Sequence, residues 1–271
     1  MSDLVRKVRL AVLVSGGGTN LQAILDRVAS GSLSAEVVAV VSDREDAYGL
    51  IRAQKAGVPT HVVDYNGYLQ RESRALASKI PAVELDEIDR RQKILKNPDP
   101  AKRLERLRRL VVAERELIGV LDRYRPDYIC LAGFMRLLSP YFLHHYNRLG
   151  EWRVLNIHPA LLPAFPGEHG YEDTFSYGCK WGGVTVHFVD EGEDSGPIIA
   201  QAIYPVWPRD DVETVRSRGL RLEYEVYSQC IHWLAAGQVE LEPLGGNRCG
   251  VRITDPAYRP IVESWLKEAL S

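Results

Sequence analysis

No apolar run in this chain approaches the roughly 18 residues that a bilayer-spanning helix needs. The opening stretch, Met1-Ser2-Asp3-Leu4-Val5-Arg6-Lys7, leads straight into a strand-like segment and lacks the apolar core of a signal peptide, so a cytoplasmic protein is expected. Cysteine is scarce. Cys130, Cys179, Cys230 and Cys249 form no C-x-x-C pair, which argues against a zinc site or a disulfide framework and for reduced thiols. Charge of one sign is not in excess either: the formal net charge is −2, and neither nucleic acid nor an anionic membrane is an expected partner. Internal repeats and low-complexity tracts are lacking. What remains is an ordinary soluble composition, 45% hydrophobic and 26% charged, over 271 residues. That length suffices for one large α/β domain or two small ones.

The first half alternates between two hydrophobic periods. Val8–Val14 is a short β-rich run ending at Gly16-Gly17-Gly18. A helical pattern then follows through Leu21, Ile24, Leu25 and Val28 to Gly31. Residues 36–41 read as a strand, 48–56 as a helix closed by Gly57, and 60–63 as a third strand. Residues 128–132 and 153–157 repeat the buried-strand signature, with a helical stretch over 140–146 between them. Such alternation predicts parallel βαβ units in a doubly wound, Rossmann-like sheet. Strand-like segments 183–189 and 198–206 are separated by only eight residues, Asp190 to Pro197, too few for a helical crossover. That pair is therefore expected to be antiparallel. A long helix over 212–236, short strands at 239–241 and 250–253, and an amphipathic helix from Pro260 complete the chain.

Three stretches carry chemistry. The first is Ser15-Gly16-Gly17-Gly18-Thr19-Asn20, a glycine turn between strand and helix that lets backbone N–H groups approach an anion at a helix N-terminus. Leu21 stands where the dinucleotide fingerprint needs its third glycine, and no P-loop lysine follows. A single phosphate suits the loop, with Thr19 and Asn20 as added donors; a tight turn without a ligand is the alternative. The second is Asn156-Ile157-His158-Pro159, where a strand ends in two polar side chains on one face. Asn156 could donate to an oxyanion and His158 could exchange a proton, although both could equally cap local backbone. The third is Asp194, whose carboxylate could pair with His158 and raise its pKa. An acidic loop alone is more often solvated surface. His187, flanked by Val186 and Phe188, reads as a satisfied core or rim histidine.

Together the segments 15–25, 126–140, 154–172 and 183–202 resemble the glycinamide ribonucleotide formyltransferases of purine synthesis, and the similarity runs over most of residues 8–235. The resemblance implies a formyltransferase fold, α/β with a mostly parallel Rossmann-like sheet and an antiparallel C-terminal part. It implies one domain over 1–271. Residues 1–150 would be a phosphate-binding half with a basic insertion around 66–112, and 151–271 a catalytic and folate-binding half with a C-terminal extension. Gly18, Thr19 and Asn20 would hold the substrate phosphate and Glu223 the glycinamide end. Met135, Arg136, Leu137 and Leu138, with Asn156, would line the folate pocket. Asn156 and a protonated His158 would act on the formyl carbonyl, with Asp194 keeping the imidazolium populated. The implied activity is transfer from 10-formyltetrahydrofolate, a cosubstrate, to 5-phosphoribosylglycinamide. No bound cofactor or metal is implied, and the protein would be a monomer or homodimer.

Several features depart from the family pattern. About 60 residues, 64–127, stand where the family has a short helix. Within them, residues 90–109 hold nine Lys or Arg against two acids, and Asp99-Pro100 opens a helix whose inner face runs through Leu104, Leu107, Val111, Ile118 and Leu121. This segment reads as a solvated helix, with a nucleic-acid or subunit contact as the alternative. Residues 84–98 ahead of it show no long apolar periodicity and read as a removable surface addition. The insertion leaves the family's folate-proximal arginine open between Arg71 and Arg109. Tyr224 replaces the usual histidine after Glu223, and Glu168-His169-Gly170-Tyr171 is an unusual loop, so acceptors other than phosphoribosylglycinamide stay open. Two rival readings are a formyltetrahydrofolate hydrolase and a non-catalytic nucleotide-binding module. The hydrolase usually carries an N-terminal regulatory domain, whereas only seven residues precede the first strand here.

Overall fold

The computed structural model describes residues 7–70, 80, 82–147, 151–246 and 248–271. In chain order the elements are β1 (Val8–Val14), α1 (Thr19–Ala29), β2 (Ala35–Ser42), α2 (Tyr48–Lys55), β3 (Thr60–Val62), α3 (Tyr65–Gln70), α4 (Ala82–Arg91) and α5 (Pro100–Leu121). Then follow β4 (Tyr128–Leu131), α6 (Pro140–Tyr146), β5 (Val154–His158), α7 (Gly170–Ser176), β6 (Trp181–Phe188), β7 (Ile198–Pro205), α8 (Val212–Ala235), β8 (Val239–Pro243), β9 (Cys249–Ile253) and α9 (Tyr258–Leu270).

The large sheet runs β3-β2-β1-β4-β5-β6-β7. Strands β1 to β5 pair in parallel, and the expected antiparallel arrangement of β6 with β7 is present, β6 also running antiparallel to β5. Helices cover both faces because the strands are apolar on both. Leu10, Val12 and Val14 of β1 pack with α1, α2 and α8, whereas Ala11 and Leu13 pack with α5 and α6. This is the two-residue alternation of a doubly covered strand. Strand order reverses between β1 and β4, which places a crevice outside their carboxyl ends. The loops entering that crevice are Ser15–Gly18 and Ala132–Leu138.

The described residues of 82–121 are packed into the fold. Helix α5 starts where expected: the Asp99 side chain accepts from Ala101 and Lys102 N–H, with Pro100 in the first turn. Leu107, Val111, Ile118 and Leu121 are buried along it. However, α4 contributes Leu85 and Ile88 to an apolar cluster with Ile80, Leu107, Val111 and Val112. Reading 84–98 as a removable addition is therefore corrected: two apolar residues one turn apart, Leu85 and Ile88, are too few to register as a period, yet enough to anchor a short helix. The basic charge is largely paired within the segment, by Arg103 with Asp89 (2.8 Å), Arg91 with Glu87 (3.1 Å) and Arg109 with Glu105 (2.6 Å). Among the described residues, no helix is long and apolar enough to cross a membrane.

Candidate active site

The crevice holds a cavity of about 360 Å³ lined by the glycine loop, by residues 131–138, and by Asn156, His158, His187, Asp194, Arg216 and Glu223. Gly18, Thr19, Asn20, Met135, Arg136, Leu137, Leu138, Asn156, His158, Asp194 and Glu223, singled out from the sequence, all line it. Among the described residues, no three His, Cys, Asp or Glu side chains group as a metal ion would require.

The glycine loop is shaped from behind. Gly18 has φ +67° at the start of α1, and a Cβ there would lie 2.6 Å from the Cα of Gly49. A glycine is needed on both counts. Loop carbonyls are occupied on the α2 side: Gly49 N–H donates to Gly16 (2.9 Å) and Arg52 Nε to Gly17 (2.8 Å). Gly16, Gly17 and Gly18 line the cavity with the first turn of α1; their amides donate to no described group, and the start of α1 carries no side-chain cap. Thr19 is exposed there. Asn20 is not: it is buried, and its amide donates to Glu223 Oε2 (2.6 Å), leaving its Oδ1 without a partner. As a side chain Asn20 belongs with Glu223 and not with the loop.

Glu223 also accepts from the Tyr171 hydroxyl. Burial raises its carboxyl above the usual range, against the hydrogen bonds from Tyr171 and Asn20 and the charge of Arg216. Tyr171, from the unusual loop, thus meets the acid beside which the family histidine was missing.

On the other side, Met135 and Leu137 are exposed on the rim and Leu138 is buried beneath. Arg136 is fixed by Asp43 (2.5 Å), itself buried, and by Asn66 (2.9 Å). Met135 N–H donates to Ser15 Oγ (2.8 Å), tying this loop to the glycine loop. Arg71 lies outside the described residues. Arg109 does not line the cavity.

Asn156 and His158 leave the end of β5 on one face, and the antiparallel register sets Asn156 opposite His187. Asn156 Nδ2 lies 3.3 Å from His187 Nε2, while the other ring nitrogen of His187 donates to the Phe188 carbonyl (2.8 Å). Asp194 closes the group. Its Oδ2 is 3.3 Å from His158 Nδ1 and accepts from Gly167 N–H (2.8 Å), and its Oδ1 is 3.6 Å from His187 Nε2. The loop carrying it is tightly constrained: Asp194 has φ +50°, and a Cβ on Gly196 would fall 1.9 Å from the Phe188 carbonyl oxygen.

Burial alone would raise the Asp194 carboxyl. The His187 hydrogen bond, the His158 charge and the Gly167 amide outweigh burial and hold it below the usual range. His158 departs from expectation. Its Nε2 contacts the Phe165 carbonyl (2.8 Å), so acceptors face both ring nitrogens and favour the cation. Yet its side chain is almost wholly buried, and desolvation takes away more than Asp194 and Phe165 return. The His158 pKa is lowered, not raised, so burial favours the neutral imidazole against the pull of Asp194 and Phe165.

Sequence reasoning missed four participants. His187 is buried as expected, but it also touches Asn156 and Asp194; only the β5–β6 register reveals this. Asp43, Tyr171 and Ile94 reach the site from distant segments. Ile94 follows α4: it lines the cavity and shares an apolar cluster with Phe134 and Leu138. Beside it, Lys93 N–H donates to the Glu191 carbonyl (3.2 Å), and Lys96 pairs with Glu193 (3.9 Å) in the Asp194 loop.

Residues 8–231 match the formyl transferase family. The chain is 34% identical over 251 residues to phosphoribosylglycinamide formyltransferase of Escherichia coli K12, covering 93% of this chain and 98% of that protein. It is 35% identical over 242 residues to the trifunctional purine biosynthetic protein adenosine-3 of Drosophila melanogaster, 15% of whose length the match covers. Glycinamide ribonucleotide transformylase 1 from Symbiobacterium toebii superimposes with a TM-score of 0.69 at 37% identity, covering 92% of this chain and 95% of that one.

Proposed function

As the chain belongs to the formyl transferase family, whose members draw on a folate-derived one-carbon donor, we propose that it transfers the formyl group of 10-formyltetrahydrofolate to the amine of 5-phosphoribosylglycinamide in purine biosynthesis. The observation that carries this reading is the convergence of Asn156, His158 and Asp194 in a cavity that also receives the free amides of the glycine loop.

The substrate phosphate sits on Gly17, Gly18 and Thr19 at the N-terminus of α1, where N–H groups and the helix dipole attract an anion. Glu223, held by Tyr171 and Asn20, faces the substrate between the phosphate and the amine. The pterin of the cosubstrate lies along Met135–Leu138. The amine nitrogen attacks the formyl carbon, and the carbonyl oxygen becomes an oxyanion to which an Asn156 N–H donates. Neutral His158 takes the proton released by the attacking nitrogen. It returns that proton to N10 as the C–N10 bond breaks, giving the formylated amide and tetrahydrofolate. Asp194, ionised beside Nδ1, stabilises the imidazolium during the interval when it carries the proton.

The test is a direct one. Purified protein is given 10-formyltetrahydrofolate with and without phosphoribosylglycinamide, following folate absorbance. Deformylation should be negligible alone and rise by orders of magnitude with the acceptor. Acceptor-independent release of formate at a comparable rate would instead mark a hydrolase using the same residues on water.

A further inference from the structure

A phosphate monoester brings close to two negative charges at neutral pH, while the glycine loop offers N–H groups and about half a positive charge at the start of α1. Among the described residues lining the cavity, two side chains carry a fixed positive charge, Arg136 and Arg216. Arg136 is committed to a buried carboxylate, with the Asp43 side chain 1% exposed. Arg216 is not committed in this way. Its side chain is 37% exposed, and its two acidic partners, Glu172 and Glu213, are 39% and 79% exposed, so water competes for each ion pair.

Arg216 also lines the cavity that the glycine loop lines. It lies seven residues before Glu223 on α8, two helical turns along the same face. Between them Gly219 leaves room for the Tyr171 ring, because a Cβ there would lie 2.3 Å from Tyr171 Cε1. The Tyr171 hydroxyl reaches Glu223, and the Arg216 guanidinium lies 5.6 Å from the centre of the same ring. Arg216, Tyr171, Glu223 and Asn20 thus form one continuous wall leading to the first turn of α1. The aromatic face holds the guanidinium from the side, independently of its anionic partner.

We propose that Arg216 is the cation of the phosphate subsite, with Glu172 as its resting partner: on substrate binding the guanidinium turns from Glu172 to the phosphate. The inference rests on the reading that the acceptor is a phosphorylated amine. A guanidinium matches two phosphate oxygens as well as it matches a carboxylate, and the dianion is the stronger partner. Glu172 keeps the arginine extended along the wall when no phosphate is there.

The test compares wild type with Arg216→Gln, Arg216→Lys and Glu172→Gln. For Arg216→Gln, the KM for phosphoribosylglycinamide should rise on the order of 10- to 100-fold, with the folate KM unchanged. Arg216→Lys should recover part of the loss, and Glu172→Gln should lower the KM. The unphosphorylated riboside should be used equally by wild type and Arg216→Gln. Equal loss on both acceptors, or an unchanged KM for the phosphorylated one, overturns the proposal. Calorimetric binding of ribose 5-phosphate separates this outcome from failure of the acceptor assignment. If binding weakens in Arg216→Gln while no phosphoribosylglycinamide is formylated, the subsite stands and the acceptor is another phosphorylated amine. Equal binding to both proteins removes Arg216 from the subsite.

Discussion

At the residue scale the decisive quantity is the proton on His158. Desolvation sets its pKa below the ordinary histidine value, and Asp194 pushes the other way. If neutral His158 is the base, activity should rise with pH through that lowered pKa. In Asp194→Asn the carboxylate that favours the imidazolium is gone, so the acidic limb of the kcat profile should move to lower pH while the plateau falls. A limb that stays in place, or moves up, would remove Asp194 from control of His158. His158→Ala should cost roughly 10²–10⁴ in turnover, the usual contribution of a positioned proton carrier. The glycine loop allows a second residue-scale prediction. Gly18 tolerates no side chain, so any substitution there confounds folding with binding. A Cβ on Gly17, by contrast, meets nothing within 4 Å. Gly17→Asp should therefore fold normally and raise the KM for the phosphorylated acceptor by charge repulsion, leaving folate binding intact. A loss of folate affinity instead would assign the loop to the other ligand.

At the element scale, α4 and the turn after it support the site from outside. Leu85 and Ile94 separate two roles. Leu85 is 1% exposed within the α4–α5 cluster and distant from the cavity, so Leu85→Ala should lower stability by about 2–5 kcal/mol without altering either KM. Ile94→Ala opens the cavity wall beside Phe134 and Leu138, and should raise the folate KM several-fold while the acceptor KM holds. Chemical denaturation and steady-state kinetics on the two variants decide this; equal folate KM values would place Ile94 outside the pocket. Helix α4 also shows where the sequence stops being legible. Helices and strands with long periods were readable to within a residue or two, as with 140–146 and β1, because period and caps are local. Asn156, His158 and Asp194 were readable as candidates because strand ends and glycine turns are local too. The contacts of His187, Asp43, Tyr171 and Ile94 were not, since they depend on strand register or on segments separated by dozens of residues. The net direction of the His158 pKa is illegible in the sequence for a related reason: the Asp194 carboxylate that raises it is visible in a motif, whereas the burial that outweighs Asp194 is a property of the packed fold.

At the scale of the whole molecule, one buried acid links fold stability to pH. Glu114 lies on α5, bonded to Ser139 just after the Ala132–Leu138 loop, and is wholly buried. Its carboxyl accepts Ser139 N–H (2.6 Å) and meets the Ser139 hydroxyl, which in turn caps α6 at Tyr141 N–H. Burial pushes the Glu114 pKa up from 4.5 to about 8, although Ser139 and the Phe142 amide pull it down. The native state therefore keeps a proton that the unfolded chain gives up above its ordinary carboxyl value. The sign follows from linkage: the stability this protonated group contributes is fully present below about pH 4.5 and is lost as pH rises through about 8. His158 works in the opposite sense, since its lowered pKa gives stability that is lost as pH falls. Comparing wild type with a neutral isostere at Glu114 isolates the first effect from the second. Gln can accept Ser139 N–H and donate to the Ser139 hydroxyl, so Glu114→Gln should preserve the α5–α6 junction. Its denaturation midpoint should match that of wild type near pH 4 and exceed it increasingly toward pH 8, at a limit of about 1.4 kcal/mol per pH unit for a single group. Parallel stability curves across that range would mean that Glu114 is ionised in the folded protein, and that the α6 cap is held by a carboxylate.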